Sequence, residues 1–189
     1  GAPAETAYRW TVKAAQQAVA AYAPAEAVPL YRSALELAEA VGLSHGEKAN
    51  LLLWGLAASQ RGAGDFEGMI ESYEEAAQES EAAGDVAGAA RAYVWLAGFL
   101  PMQGQIGRAL RFAEKGLELV GPADRAERGT LLAWHGLPSL CLHRFDTAFE
   151  EVAEAESLAE HVTDPLRLGY LFRTIACLYL FACFPQKAQ

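Results

Sequence analysis

Cysteine is scarce in this 189-residue chain, and the three present (Cys141, Cys177 and Cys183) are scattered and odd in number. That excludes a disulfide framework and makes a reducing cytoplasm the expected compartment. Long apolar runs are missing too. The longest candidate, Leu168 to Phe184, is interrupted by Arg173, so no transmembrane span is expected. Positive charge is in deficit, with 15 Lys and Arg against 24 Asp and Glu and a net charge of −9. Binding a polyphosphate begins with neutralising it, so nucleic acid is excluded as a direct partner. Runs of β-branched residues are absent while alanine is abundant, which favours helix throughout. Without an initiator Met or a secretory leader, the chain reads as a segment of a longer protein. With 52% hydrophobic and 21% charged residues, the composition is that of a folded domain with a sizeable core.

What the chain does contain is a pattern repeated about every forty residues. Ala27, Met69, Ala109, Ala148 and Ala188 serve as anchors, with spacings of 42, 40, 39 and 40. Twelve residues before each stands another small residue: Ala15, Ala57, Ala97, Gly136 and Ala176. Small residues at fixed places let helices approach closely, which is how a repeat solenoid stacks. The repeats fall near 5–42, 46–84, 85–121, 123–163 and 165–189, the last truncated, all in one domain spanning 1–189.

Helix punctuation agrees with the anchors. Ser44 and Glu47 form a capping box, Gly42 closes a helix, and Asp164-Pro165 opens one. Gly64-Asp65, Gly84-Asp85, Gly104 and Gly121-Pro122 mark turns. First helices are expected near 5–21, 46–62, 85–102, 123–142 and 165–183. Second helices are expected near 25–41, 65–83, 105–120 and 145–162, with another beginning around Pro185. Tyr93, Leu96, Ala97 and Leu100 keep the helical period, as do Phe172, Ile175, Ala176 and Tyr179. Acidic runs such as Glu71, Glu74, Glu75 and Glu79 read as solvated outer faces. Pro29, Pro101 and Pro138 should kink or shorten their helices, and Pro138, two residues after Gly136, marks the helix expected to bend most.

Gly64-Asp65-Phe66 followed by Met69, Tyr73 and Ala76 resembles the tetratricopeptide repeat, and Gly104, Ala109 and Gly116 form a looser copy. The resemblance covers nearly the whole chain. It departs from the usual unit of about 34 residues and lacks a regular proline after each second helix. Units of about forty residues are similar to the sensor region of large bacterial signal-transducing ATPases and transcription activators, and to the cargo-binding array of kinesin light chains. The first is the nearer in style, in its alanine richness and phrases such as Leu30 to Glu39. The resemblance implies an all-α right-handed solenoid of stacked antiparallel helix pairs, serving signal transduction or transcription regulation. It implies a non-enzymatic module that binds a peptide, a helix or a neighbouring domain in the groove of its first helices. A small-molecule regulatory domain and a structural or oligomerisation spacer are the alternatives.

On the usual repeat geometry, Trp54, Leu137, Leu140, Tyr170, Arg173 and Phe181 are the candidate groove residues, with Val94 and Met102 beside them. Arg9, Arg61, Arg91 and Arg173 are the groove's cations, too few to clamp an acidic peptide tail, so an apolar or amphipathic ligand is expected. Trp95 and Trp134 lie fourteen residues before their anchors and read as core, while Trp54 lies fifteen before its own. His135, Cys141, His143, Cys177 and Cys183 match no metal-ligand spacing. Gly104-Gln-Ile-Gly lacks the lysine of a phosphate loop. No metal, cofactor or catalytic residue is expected.

Overall fold

A computed structural model describes residues 2–122 and 124–183, and at Phe181 and Cys183 the backbone alone. The Ala188 anchor and the helix expected from Pro185 lie outside the described residues. Within them the protein is all α-helical, without a strand. Its helices are α1 (Ala2–Ala20), α2 (Pro24–Glu36), α3 (Ala38–Val41), α4 (His45–Asn50), a π-helix (Leu51–Leu56), α5 (Ala57–Ala63) and α6 (Phe66–Ala82). There follow α7 (Val86–Phe99), a 3₁₀ turn (Leu100–Gln103), α8 (Ile106–Leu119), α9 (Arg125–Cys141), α10 (Phe145–Ala159) and α11 (Pro165–Cys183). No helix among the described residues is long and apolar enough to cross a membrane.

The helix starts follow from local chemistry. The Glu47 amide donates to Ser44 Oγ at 3.3 Å, while Glu47 Oε2 accepts from the Ser44 amide at 2.8 Å, so the box is reciprocal. Asp65, Asp85, Asp124 and Asp164 each accept amide hydrogen bonds at the start of the helix that follows. The prolines act unequally. Pro101 lies in the 3₁₀ turn that ends α7, but α2 runs through Pro29 and breaks at Leu37, and α9 continues through Pro138 to Cys141. The marked irregularity falls instead between α4 and α5, as the π-helix.

A left-handed residue recurs between paired helices. Tyr22 (φ 57°), Gly64 (φ 79°), Gly104 (φ 71°) and His143 (φ 58°) each stand five positions before an anchor. Glycine takes that conformation without steric penalty, whereas Tyr and His are held there by the chain around them.

Contacts divide the chain into two compact units, 1–92 and 93–189, with the boundary inside α7. In the first, α2 packs on α1, the π-helix and α5, and α6 packs on α4, the π-helix and α5. Ala15, Ala27, Ala57 and Met69 have no exposed surface. The buried Gln60 amide is satisfied, donating to Asp65 Oδ2 at 3.2 Å while its carbonyl accepts from Ser72 Oγ at 2.7 Å.

In the second unit α9 is central, with α8, α10 and α11 packed on it and 12 of its 17 residues buried. Ala97, Ala109 and Ala148 are fully buried, and Gly136 is buried between Leu178 and the Ala148 carbonyl. The Arg167 guanidinium meets both Asp124 and Glu127, tying the start of α11 to that of α9.

The helical period expected for this segment holds, but Ala176, expected where helices approach closely, is exposed. The inward stripe of α11 is Leu171, Thr174, Ile175 and Leu178, whereas Phe172 (52% exposed), Tyr179 (41%) and Ala176 face outward. Because α11 is apolar nearly all round, two stripes one position apart fit the same period, and packing on α9 and α10 selects between them.

Candidate functional site

A cleft of about 350 Å³ opens in the first unit among α1, α2, α4 and the π-helix. Tyr8 comes from α1 and Tyr31 from α2, Glu47 and Asn50 from α4, and Trp54 and Gly55 from the π-helix. The Trp54 indole is 56% exposed and the Arg91 guanidinium stands over it, 5.6 Å from the ring centroid. Gly55 makes room for the Tyr31 ring: a Cβ there would lie 2.6 Å from Tyr31 Cε1.

The exposure of Trp54 traces to one inserted residue. Trp95 and Trp134 precede their buried small residues Ala97 and Gly136 by two positions, but Trp54 precedes Ala57 by three. The extra residue lies within the π-helix, whose i to i+5 hydrogen bonds enclose one residue more per turn than an α-helix. It turns Trp54 off the packed face while Ala57 keeps its place in the core. Trp134 is 8% exposed and Trp95 is half-buried.

The cleft's electrostatics are negative. Two hydrogen bonds from Ser44 hold the Glu47 carboxyl below its ordinary pKa. Burial raises the Tyr8 phenol, and the Glu47 carboxylate adds to that shift. Asn50 Nδ2 donates to the Gly46 carbonyl at 2.9 Å, which fixes its orientation along α4.

The candidate groove residues of the second unit are placed differently. Leu137 (4% exposed) and Leu140 (8%) are buried, Leu140 within the cluster built by Leu132, Val152, Leu171 and Leu178. Tyr170 is half-buried, its ring edge-on to Trp95 at 5.6 Å, and the exposed Arg173 stacks over Tyr170 at 4.4 Å. Val94 is buried and Met102 is 67% exposed, while the Phe181 side chain lies outside the described set. With rings of α7 and α11 in contact and α9 buried, this unit leaves Leu137 and Leu140 covered. Among the described side chains, Trp54 is thus the one groove candidate that lines the cleft; Tyr8, Tyr31, Glu47 and Asn50 join it. The sequence identifies Glu47 as part of a helix cap, and the linear spacing of these residues carries no sign of the shared cleft.

Cys141 is exposed and Cys177 half-buried. Among the described residues of the second unit, His135 is a half-buried ionisable group whose Nδ1 stands 2.5 Å from Glu151 Oε1 of α10 and whose Nε2 stands 3.8 Å from Glu114 Oε1 of α8. The Glu151 contact is an ion pair rather than an aligned hydrogen bond. Burial opposes the charge, but Glu151 and then Glu114 outweigh it and raise the imidazole pKa above 6.5. A raised folded-state pKa stabilises fully below the unfolded value and fades as pH rises through the folded one. The melting temperature should therefore fall from about pH 6.5 upward, and His135→Gln should flatten that slope. An identical slope in the variant would remove His135 as its source.

No protein-family model matches the chain, and no curated protein matches it.

Proposed function

We propose that this chain is a non-enzymatic binding or sensor module, built as a right-handed, tetratricopeptide-like solenoid, which holds a peptide, a helix or a neighbouring domain against its first helices. Two regularities support the repeat reading. The left-handed turn residue keeps a fixed offset from the four described anchors, and those anchors are all fully buried. The observation that carries the binding reading is the Trp54 cleft. A large aromatic stands half in water on a π-helix, a backbone form enriched at functional sites, beside an open cavity. The binding class fits because the hydrogen bonds to Glu47 Oε2 and from Asn50 Nδ2 hold these two polar side chains in fixed positions at the cleft wall. The cleft volume also lies within the range of small-molecule sites, which keeps the metabolite-sensor form of the same reading in play. The sequence's resemblance to the sensor region of bacterial signal-transducing regulators supports reading it as part of a cytoplasmic regulatory protein.

Selection of a random peptide library on the intact chain, followed by titration on wild type and Trp54→Ala, tests the reading. Enriched peptides should carry apolar residues at i, i+3 and i+4 and bind roughly 5- to 30-fold more weakly to the variant. Peptides that bind both proteins equally would remove the cleft as the binding surface.

A further inference from the structure

We propose that the Trp54 cleft is a receptor for an alkylated ammonium group, with the side chains of Tyr8 and Trp54 as its walls, the largely buried Tyr31 as its floor and the Glu47 carboxylate as its counter-charge. The proposal rests on the cleft reading above and adds the chemistry of the occupant.

Three aromatic residues from three different helices border one cavity of about 350 Å³. Aromatic faces carry negative electrostatic potential, and several rings around one cavity are the usual receptor for a cation too large and apolar to be held by hydrogen bonds. Among the described residues, Glu47 is the only charged side chain lining the cleft. Both hydrogen bonds from Ser44 go to its Oε2, which anchors the carboxylate at the cleft and keeps it ionised.

The Trp54 ring already attracts a cation within the fold. Arg91 stands 5.6 Å from its centroid yet is not among the residues lining the cleft, so the cleft-side surface of the indole is left for a ligand. The surrounding field has the matching sign. Residues 1–92 hold 13 of the 24 acidic side chains and 6 of the 15 basic ones, a formal charge of −7 out of −9. Such a field draws cations toward the unit and disfavours anions. An ordinary lysine ammonium is strongly hydrated and needs hydrogen-bond acceptors. A trimethylammonium offers an apolar, charged surface that suits rings and one carboxylate.

Choline is the probe, and 3,3-dimethylbutan-1-ol, the same shape with carbon in place of the charged nitrogen, is its control. Titration of the full chain by calorimetry should show choline binding roughly 3- to 30-fold more tightly than the neutral isostere. Trp54→Ala should abolish the preference. Glu47→Gln keeps the capping box while removing the charge, and should weaken choline with little change for the isostere. Equal affinity for choline and the isostere, or choline binding unaffected by either variant, overturns the proposal. A short peptide bearing Nε-trimethyl-lysine separates the sources. Binding at least about tenfold tighter than choline assigns the group to a protein tail, and equal binding assigns it to a small amine. Trp54-dependent selected peptides without any choline or trimethyl-lysine binding would sink the cation receptor and leave the groove reading standing. Choline binding with no selectable peptide would do the reverse.

Discussion

Trp134→Ala should lower the stability of the protein by about 3–5 kcal/mol, whereas Trp54→Ala should change it by no more than about 1 kcal/mol. The two tryptophans occupy nearly the same place in their repeats but not the same environment. Trp134 is 8% exposed on the buried helix α9, and its indole lies against Gly98, where a Cβ would come within 2.8 Å of Cε2. Truncating it leaves a cavity against Gly98, which has no side chain to fill it. Trp54 is 56% exposed, and its removal forfeits little beyond the Arg91 contact. Trp95, half-buried and in contact with Phe99 and Tyr170, should fall between them. Denaturant unfolding of the three variants measures the order. A loss for Trp54→Ala equal to that for Trp134→Ala would make Trp54 a core residue and remove it from the cleft.

Overpacking should be as visible as truncation. Gly136→Leu and Ala97→Leu are each expected to cost about 1–3 kcal/mol. A Cβ on Gly136 would stand 2.6 Å from Leu178 Cδ1 and 3.4 Å from the Ala148 carbonyl oxygen, and Leu178 is itself 1% exposed with nowhere to move. Ala97 has no exposed surface. Gly169→Ala is the control. It lies within α11 with nothing within 4 Å of an added Cβ, so it should be neutral or stabilise by up to about 1 kcal/mol. Unchanged melting in both leucine variants would show that the small residues do not mark where helices touch.

How far the residues alone could be read differs between elements. Ser44 with Glu47 and Asp164 with Pro165 act within one turn of chain, so their roles as helix starts were legible and recur in the structure. The turn residues were legible only in part. Gly64 and Gly104 announce a left-handed conformation, but Tyr22 and His143 adopt it as well, against their own preference. Only the flanking packed helices require it there. The groove was the least legible feature. Repeat alignment put Leu137, Leu140 and Trp54 on one list, yet the first two are buried and the third is open.

The sequence by itself determined the helical class, the places where helices begin, and the buried small residues Ala15, Ala57, Ala97 and Gly136, though not Ala176. Capping, propensity and the 3.6-residue period are properties of short stretches, written directly in residue order. Only the tertiary structure decided which stripe of α11 turns inward, and that α9 is covered on nearly every side. It also decided that one extra residue before Ala57 becomes a π-helix and swings Trp54 to the rim of a cleft shared with Tyr8 and Tyr31. Each of these depends on which surfaces meet when helices distant in sequence compete for the same neighbours, and no local pattern encodes the result of that competition.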